Sequence, residues 1–351
     1  MSYIAKPKLH HPGLEKNELG LTKRDYEGGI STLCAGCGHD SITAAIIQAM
    51  WALSIKPYQV AKMSGIGCSS KTPGYFLNAA HGVNSVHGRM PSVTTGAYLA
   101  NRDMIYLGVS GDGDSASIGI GQLVHAIRRR VNMLYIVENN GVYGLTKGQF
   151  SATADFGSRS KGGVVNHDSP IDLVQLAIQL GAGFVGRSFS GDKEQLVPLI
   201  QAGLKYKGFA FIDVISPCVT FNNHEGSTKS YQHARAHEKE VTEVLYDPHR
   251  KEIAAEYGEG EKLSVELHDG SSLLLQKVEK KYDPTDSAKA SKDIKEASDA
   301  GTILTGLLYL NPQMSDLHEH LKTAKTPLRD MSLEKLSPGK AALEKLNEEY
   351  V

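Results

Sequence analysis

Cysteine is scarce in this chain of 351 residues, which carries only Cys34, Cys37, Cys68 and Cys218. Excess charge is missing as well: 38 Lys and Arg face 39 Asp and Glu, a net charge of −1. No clustered basic face therefore calls for a nucleic acid partner. No apolar run approaches the roughly 18–20 residues that a membrane span requires. Residues 1–30 lack the apolar core of a signal peptide, so a cytoplasmic protein is expected, and internal repeats are absent too. The 40% hydrophobic content describes a soluble globular chain, long enough for one large or two ordinary domains.

The most informative stretch runs from Asp103 to Thr153. Met104 to Val109 is a short apolar run between turn residues, as in a strand covered on both faces. Ser110 to Asp114 is too crowded with Gly and Asp to be regular. From Ser115, Ile118, Leu123, Val124 and Ile127 recur at helical spacing. Arg128, Arg129 and Arg130 close that helix, where cations suit the negative end of its dipole. Asn132 to Val137 reads as a second buried strand, which completes a β-α-β unit.

Two chemistries compete for the turn after the first strand. Gly111, Gly113 and Ala116 fit G-x-G-x-x-A, with Glu138 placed like a ribose-binding acid, so an NAD-binding oxidoreductase is one reading. Asp112 and Asp114 would then repel the pyrophosphate unless a cation lay between. A hard ion such as Mg²⁺ wants carboxylate, amide and carbonyl oxygens beside phosphate. Asp112, at the end of one strand, and Asn139-Asn140-Gly141, at the end of its neighbour, would converge on such an ion. An Asn-Gly turn alone carries little weight; with Asp112 opposite, the metal-diphosphate reading is preferred.

Cys34 and Cys37 have C-x-x-C spacing, compatible with redox, zinc or neither. They precede a helix containing Ile46, Ile47, Met50 and Leu53, with Asp40 or Ser41 as the expected cap. Thiolate is favoured near such a positive helix end. Four thiols suit a [4Fe–4S] cluster. A structural zinc would more often show a second close pair. A zinc-stapled, non-catalytic interaction protein remains an alternative.

Elsewhere, Tyr58 to Ser64 reads as a strand followed by the loop GIGCSSKTPG, and a helix starts near Ser92. Ile171–Leu180 and Lys193–Tyr206 read as helices, Phe184–Ser188 and Phe209–Ile215 as strands. Such alternation predicts an α/β fold with a mostly parallel sheet covered by helices on both faces. Ligands of such sheets gather at the carboxyl ends of the strands, just beyond which Cys68, Asp112, Asn140 and Cys218 are placed. Residues 231–351 differ: HARAHEKEVTEV reads as charged helix, KLSVELHDGSSLLLQKV as a hairpin about Asp269-Gly270, and Lys280–Ala300 as linker or exposed helix. GTILTGLLYLNP is apolar enough to pack, and the last thirty residues read as charged helix. The expected division is a leader (1–30), a cofactor domain (31–230) and a largely helical extension for subunit packing (231–351).

GDGDSASIG followed by ENNGVYGLTKGQFSAT, with CAGCGHD, GIGCSSK, HGR and SPCVTFNN, resembles the β-subunit of 2-oxoacid:ferredoxin oxidoreductases, most like the 2-oxoglutarate (2-oxoglutarate synthase) type. The resemblance covers roughly residues 25–230. It implies a thiamine-diphosphate-binding fold, with Mg²⁺ held by Asp112, Asn140 and the carbonyl of Val142. Ile66, Gly67, Cys68, Ser69, His87, Gly113, Asp114, Gly144 and Leu145 would meet the cofactor, and Cys34, Cys37, Cys68 and Cys218 would ligate a [4Fe–4S] cluster. Lys71 would hold the distal carboxylate of 2-oxoglutarate, Leu145 would flank the reacting carbon, and His87 would donate to a diphosphate oxygen. Lys147 departs from the Gly often found before Gly148-Gln149. The implied reaction makes succinyl-CoA and CO₂ from 2-oxoglutarate and coenzyme A, with electrons passing singly to ferredoxin, or runs in reverse. Pyruvate or a broad range of 2-oxoacids is an alternative substrate choice, and a thiamine-dependent decarboxylase without electron transfer a more distant one. With one diphosphate motif and no evident second α/β domain, an α-subunit partner in an αβ or α2β2 assembly is expected.

Overall fold

Buried apolar strands joined by helical crossovers dictate the architecture of this chain. The structure is a computed structural model that describes residues 12–247, 262–267, 272–277, 282–327 and 330–350. Its parallel centre consists of β1 (Val60–Ser64), β2 (His81–Asn84), β3 (Ile105–Gly111), β4 (Met133–Asn139), β7 (Phe184–Phe189) and β8 (Phe209–Ile215). The two-residue strands β5 (Val142–Tyr143) and β6 (Gln149–Phe150) form a separate ribbon. β9 (Glu238–Asp247), β10 (Lys262–Glu266), β11 (Ser272–Lys277) and β12 (Ile303–Leu310) prolong the main sheet. Its order among the described residues is β10-β11-β9-β12-β7-β8-β4-β3-β1-β2.

Alternation along each strand sends side chains into two layers. Leu134 and Ile136 join the core on one face, with Ile42 and Ile46 of α1 (Gly38–Ala52) and Leu196 and Ile200 of α5 (Lys193–Lys205). Met133, Tyr135 and Val137 join the core on the other. That face is covered by α2 (Met90–Ala100), α3 (Ile120–Arg128), α4 (Leu173–Gln179) and α7 (Ser287–Asp299). The mostly parallel sheet with two helical faces is therefore present as expected.

Some local readings are corrected. The first helix begins at Gly38 with Cys37 at its N-cap, not at Asp40 or Ser41. Only glycine fits at that first helical position, where a Cβ would lie 2.6 Å from Ser216 Oγ and 2.7 Å from Ser190 Oγ. After GDG, the chain makes a π-helical turn, Gly113–Ile118, before α3. The charged segment at 231 stays helical only through α6 (Tyr231–His237) and then becomes β9, because pairing with β12 outweighs its weak helical pattern. HGVN, for which the sequence analysis gave no strand, forms the edge strand β2 against β1. The paired β10 and β11 agree with the expected hairpin, whose Asp269-Gly270 turn lies outside the described residues. No helix among the described residues is long and apolar enough to cross a membrane.

Candidate active site

Sheet register places the proposed chemistry on one edge. Ser64 is opposite Val109, Gly111 opposite Glu138, and Asn139 opposite Ile215. The loops leaving β1, β3, β4 and β8 thus stand side by side and deliver Cys68, Asp112, Asn140 and Cys218 to the same end.

A pocket of about 110 Å³ lies among these loops. Ile66, Gly67, Cys68, Ser69, His87, Asp112, Gly113, Asp114, Asn140, Val142, Gly144 and Leu145, all expected from sequence, line it. Gly113 is required here: a Cβ would lie 2.4 Å from the Tyr143 ring, whose hydroxyl donates to the Gly113 carbonyl at 3.2 Å. Lys71 is not among the lining residues; it sits exposed in the 3-10 turn Ser69–Gly74, where its charge acts on Cys68.

Asp112 is buried, and burial raises its carboxyl above the usual range against the pull of its hydrogen bonds. Ser151 donates to Oδ2 in a short contact, as does Thr153 at 2.8 Å. Among the described residues Oδ1 receives only the Asn140 amide, at 3.3 Å, and is the freer oxygen. Asn140 accepts from the Val142 amide at 3.0 Å, and Asn222 holds the Asn140 carbonyl at 2.8 Å. Carboxylate, amide and carbonyl oxygens gathered in this way fit a hard divalent cation such as Mg²⁺.

Asp114 is a brace. Oδ1 accepts from Gly88 at 2.7 Å, from Ile66 at 3.3 Å and in a short contact from His87, while Oδ2 accepts from Ser110 at 2.6 Å. The Cβ of any residue at 65 would strike this carboxylate at 2.0 Å, which explains Gly65. His87 thus directs Nδ1 to Asp114, leaving Nε2 as its other ring nitrogen.

The four cysteines collect at the neighbouring corner. A Cβ built at Gly144 would stand 3.5 Å from Cys218 Sγ and 3.7 Å from Cys68 Sγ. The Cys68 thiol feels Cys218 and Cys34, and that of Cys37 feels Cys218. Thr220 donates to Cys34 Sγ at 3.3 Å. Burial pushes Cys37 up to about 12 and raises Cys68 as well. All four are free thiols, and among the described residues no three His, Cys, Asp or Glu stand at the spacing of a single metal ion. A cubane distributes four thiolates over four irons, so its ligands stand farther apart than those of one zinc.

Sequence reasoning gave no role to Ser151, Thr153, Asn222 or Tyr143, although the first two lie in the quoted GQFSAT. Glu138, the candidate ribose ligand, is fully buried, and among the described residues neither carboxyl oxygen has a hydrogen-bond partner. Thr72 lies beside it but donates to the Ser69 carbonyl at 2.7 Å. Burial, with the charge of Asp40, drives the Glu138 carboxyl well above its usual range, and burial takes His39 down to about 4. The two groups lie 3.5 Å apart, and burial disfavours the charged form of each.

A glycine-lined turn, an acid and an amide at the carboxyl ends of adjacent parallel strands define a diphosphate-binding α/β enzyme domain. Residues 63–214 match the family described as thiamine pyrophosphate enzyme, C-terminal TPP binding domain. The β-subunit of 2-oxoacid:ferredoxin oxidoreductase from Saccharolobus solfataricus is 42% identical over 61% of this chain and 68% of its own length. The 2-oxoglutarate oxidoreductase subunit KorB of Mycobacterium tuberculosis is 37% identical over 59% of this chain, which spans only 55% of it. A solved 2-oxoglutarate:ferredoxin oxidoreductase from Magnetococcus marinus, with 2-oxoglutarate, coenzyme A and succinyl-CoA bound, superposes with a TM-score of 0.70. That match has 26% identity and covers 92% of this chain and 96% of the other. The chain belongs to the 2-oxoacid:ferredoxin oxidoreductase β-subunit family.

Proposed function

We propose that this chain, paired with an α-subunit as αβ or α2β2, oxidatively decarboxylates 2-oxoglutarate with coenzyme A to succinyl-CoA and CO₂, or runs the reverse reaction, and passes the electrons to ferredoxin. The observation that carries this reading is the shared wall: Cys68 and Gly144 line the pocket of Asp112 and Asn140 and also border the cysteine corner.

Thiamine diphosphate supplies the electron sink that decarboxylation of a 2-oxoacid needs. Asp112 Oδ1, Asn140 and the Val142 carbonyl would hold Mg²⁺ against the diphosphate, with Ser151 and Thr153 fixing the other carboxylate oxygen. Asp114 keeps the Ile66 and Gly88 loops at a set distance, and Leu145 and Ile66 present apolar surface at the mouth. Lys71, exposed three residues beyond Cys68, would take the distal carboxylate of the substrate. Cys34, Cys37, Cys68 and Cys218 would hold a [4Fe–4S] cluster, which accepts electrons singly. The name of the mycobacterial relative supports 2-oxoglutarate; the broader name of the Saccharolobus relative keeps pyruvate and other 2-oxoacids as the second reading.

Anaerobically purified complex should contain iron and acid-labile sulfide in equal amounts, with a reducible cluster signal in electron paramagnetic resonance that Cys218→Ala removes. Zinc in place of iron would overturn the cluster assignment.

A further inference from the structure

Two loops meet on the wall that the cofactor pocket shares with the cysteine corner, the turn 218–222 and the stretch 140–148. Their approach is close: a Cβ at Gly144 would stand 3.5 Å from Cys218 Sγ, and one at Gly148 would stand 2.9 Å from Phe221 Cβ. The polar tie between them is Asn222, which is buried and donates through Nδ2 to the Asn140 carbonyl at 2.8 Å. A backbone carbonyl can only accept, so this contact fixes which end of the side-chain amide faces the loop. Oδ1 is left buried with no hydrogen-bond partner among the described residues. A buried acceptor without a partner costs stability. What the side chain achieves in its place is its hold on the neighbouring loop.

That hold falls at the centre of the metal loop. The peptide between Asn140 and Gly141, which Asn222 grips, separates the two groups expected to meet Mg²⁺, the Asn140 side chain and the Val142 carbonyl. The next peptide is gripped as well: the Ser151 amide donates to the Gly141 carbonyl at 3.0 Å, and the Ser151 hydroxyl goes on to Asp112. Gly141 takes a φ of +73°, and a Cβ there would lie 3.2 Å from Asn222 Nδ2. The tight turn and the clamp therefore require each other.

The backbone of Asn222 belongs to the cysteine corner. Its amide donates to the Cys218 carbonyl at 2.9 Å, as does that of Phe221 at 3.3 Å, and Cys218 and Asn222 form an antiparallel bridge. The Ser227 hydroxyl holds the Asn222 carbonyl at 3.1 Å. A displacement of Cys218 thus carries Asn222 with it, and through Nδ2 the Asn140 carbonyl.

We infer that Asn222 is a positioning residue that sets the metal loop, residues 140–142, and that through it the seating of Cys218 governs how tightly the metal-diphosphate group is held. This inference rests on the function proposed above.

The test is calorimetric titration of the co-purified complex, stripped anaerobically of cofactor, with Mg²⁺ and thiamine diphosphate together. Asn222→Leu keeps the size and removes the donor. It should weaken binding roughly 10–100-fold while iron content and the cluster signal stay at the wild-type level. Mn²⁺ bound in place of Mg²⁺ should give an altered paramagnetic resonance spectrum in this variant. Cys218→Ala, which removes the cluster, should weaken the wild type at least about fivefold. In Asn222→Leu it should add no more than about twofold, because the link is already cut. Unchanged affinity in Asn222→Leu, or an unaltered Mn²⁺ spectrum, overturns the positioning role. No cost of Cys218→Ala in the wild type, or an equal cost in both backgrounds, overturns the coupling. Should Asn222→Leu lose the cluster, Asn222→Ser is judged by the same criteria; loss of the cluster in both makes Asn222 a support of the fold and overturns the role. A wild type that binds no Mg²⁺-thiamine diphosphate overturns the function proposed above, whereas equal binding by wild type and Asn222→Leu overturns this inference alone.

Discussion

Asp112 shows how far single residues could be read. Its pairing with Asn140 followed from strand-end positions in the sequence, because adjacent parallel strands bring their exit loops together. The hydroxyls of Ser151 and Thr153 could not be placed that way, since the ribbon of β5 and β6 returns them to Asp112 across a fold with no periodic signal. Asp112→Ala should abolish retention of thiamine diphosphate in equilibrium dialysis, whereas Thr153→Val should weaken Mg²⁺ roughly 10–100-fold, as loss of a residue orienting a ligand does. Unchanged binding in Asp112→Ala would contradict the metal assignment. Lys62 is a second residue that sequence hid, a lysine inside β1. It donates to the carbonyls of Pro73, Phe76 and Leu77 at 2.7, 2.7 and 2.9 Å, pinning the loop beyond Cys68. Burial lowers its pKa from 10.5 to about 8. Between those values the unfolded chain holds the extra proton, so this residue's contribution to stability rises with pH across the window and is least favourable below about 8. Denaturation of wild type and Lys62→Met across that range should show their difference changing in favour of wild type; a pH-independent difference would refute the shift.

Among the elements, strand-helix alternation from 58 to 215 was legible because each segment is apolar at its own period. Beyond 230 the signal weakened. β9 carries Glu238, Lys239, Glu240 and Glu243, and no local pattern announces a strand that depends on pairing with β12. β12 itself runs antiparallel to β7 and places Leu307 and Leu310 in one core and Leu304 and Leu308 in the other. The region after 230 thus extends the central sheet as well as adding helices. Leu308 is fully buried, so Leu308→Ala should cost about 2–5 kcal/mol in chemical denaturation. A loss below about 1 kcal/mol would mean that β12 is a loosely attached addition rather than part of the core.

Taken whole, the chain places a pocket for a diphosphate cofactor and a corner of four thiols on one sheet edge, with apolar residues such as Val86, Ile118 and Leu145 exposed nearby. The β-subunit relatives imply an α-subunit partner, and under the function proposed above that face is where it would dock. The helix α10 (Gly339–Glu348), numbered after α8 (Leu317–His320) and α9 (Leu333–Leu336), exposes Leu343 and Leu346 and offers further surface for assembly. The most direct test is anaerobic, coenzyme A-dependent viologen reduction by the co-purified complex, with 2-oxoglutarate and pyruvate compared side by side. The account predicts faster turnover with 2-oxoglutarate and loss of that preference in Lys71→Ala. No reduction with either substrate, by protein shown to contain both thiamine diphosphate and cluster, would contradict it.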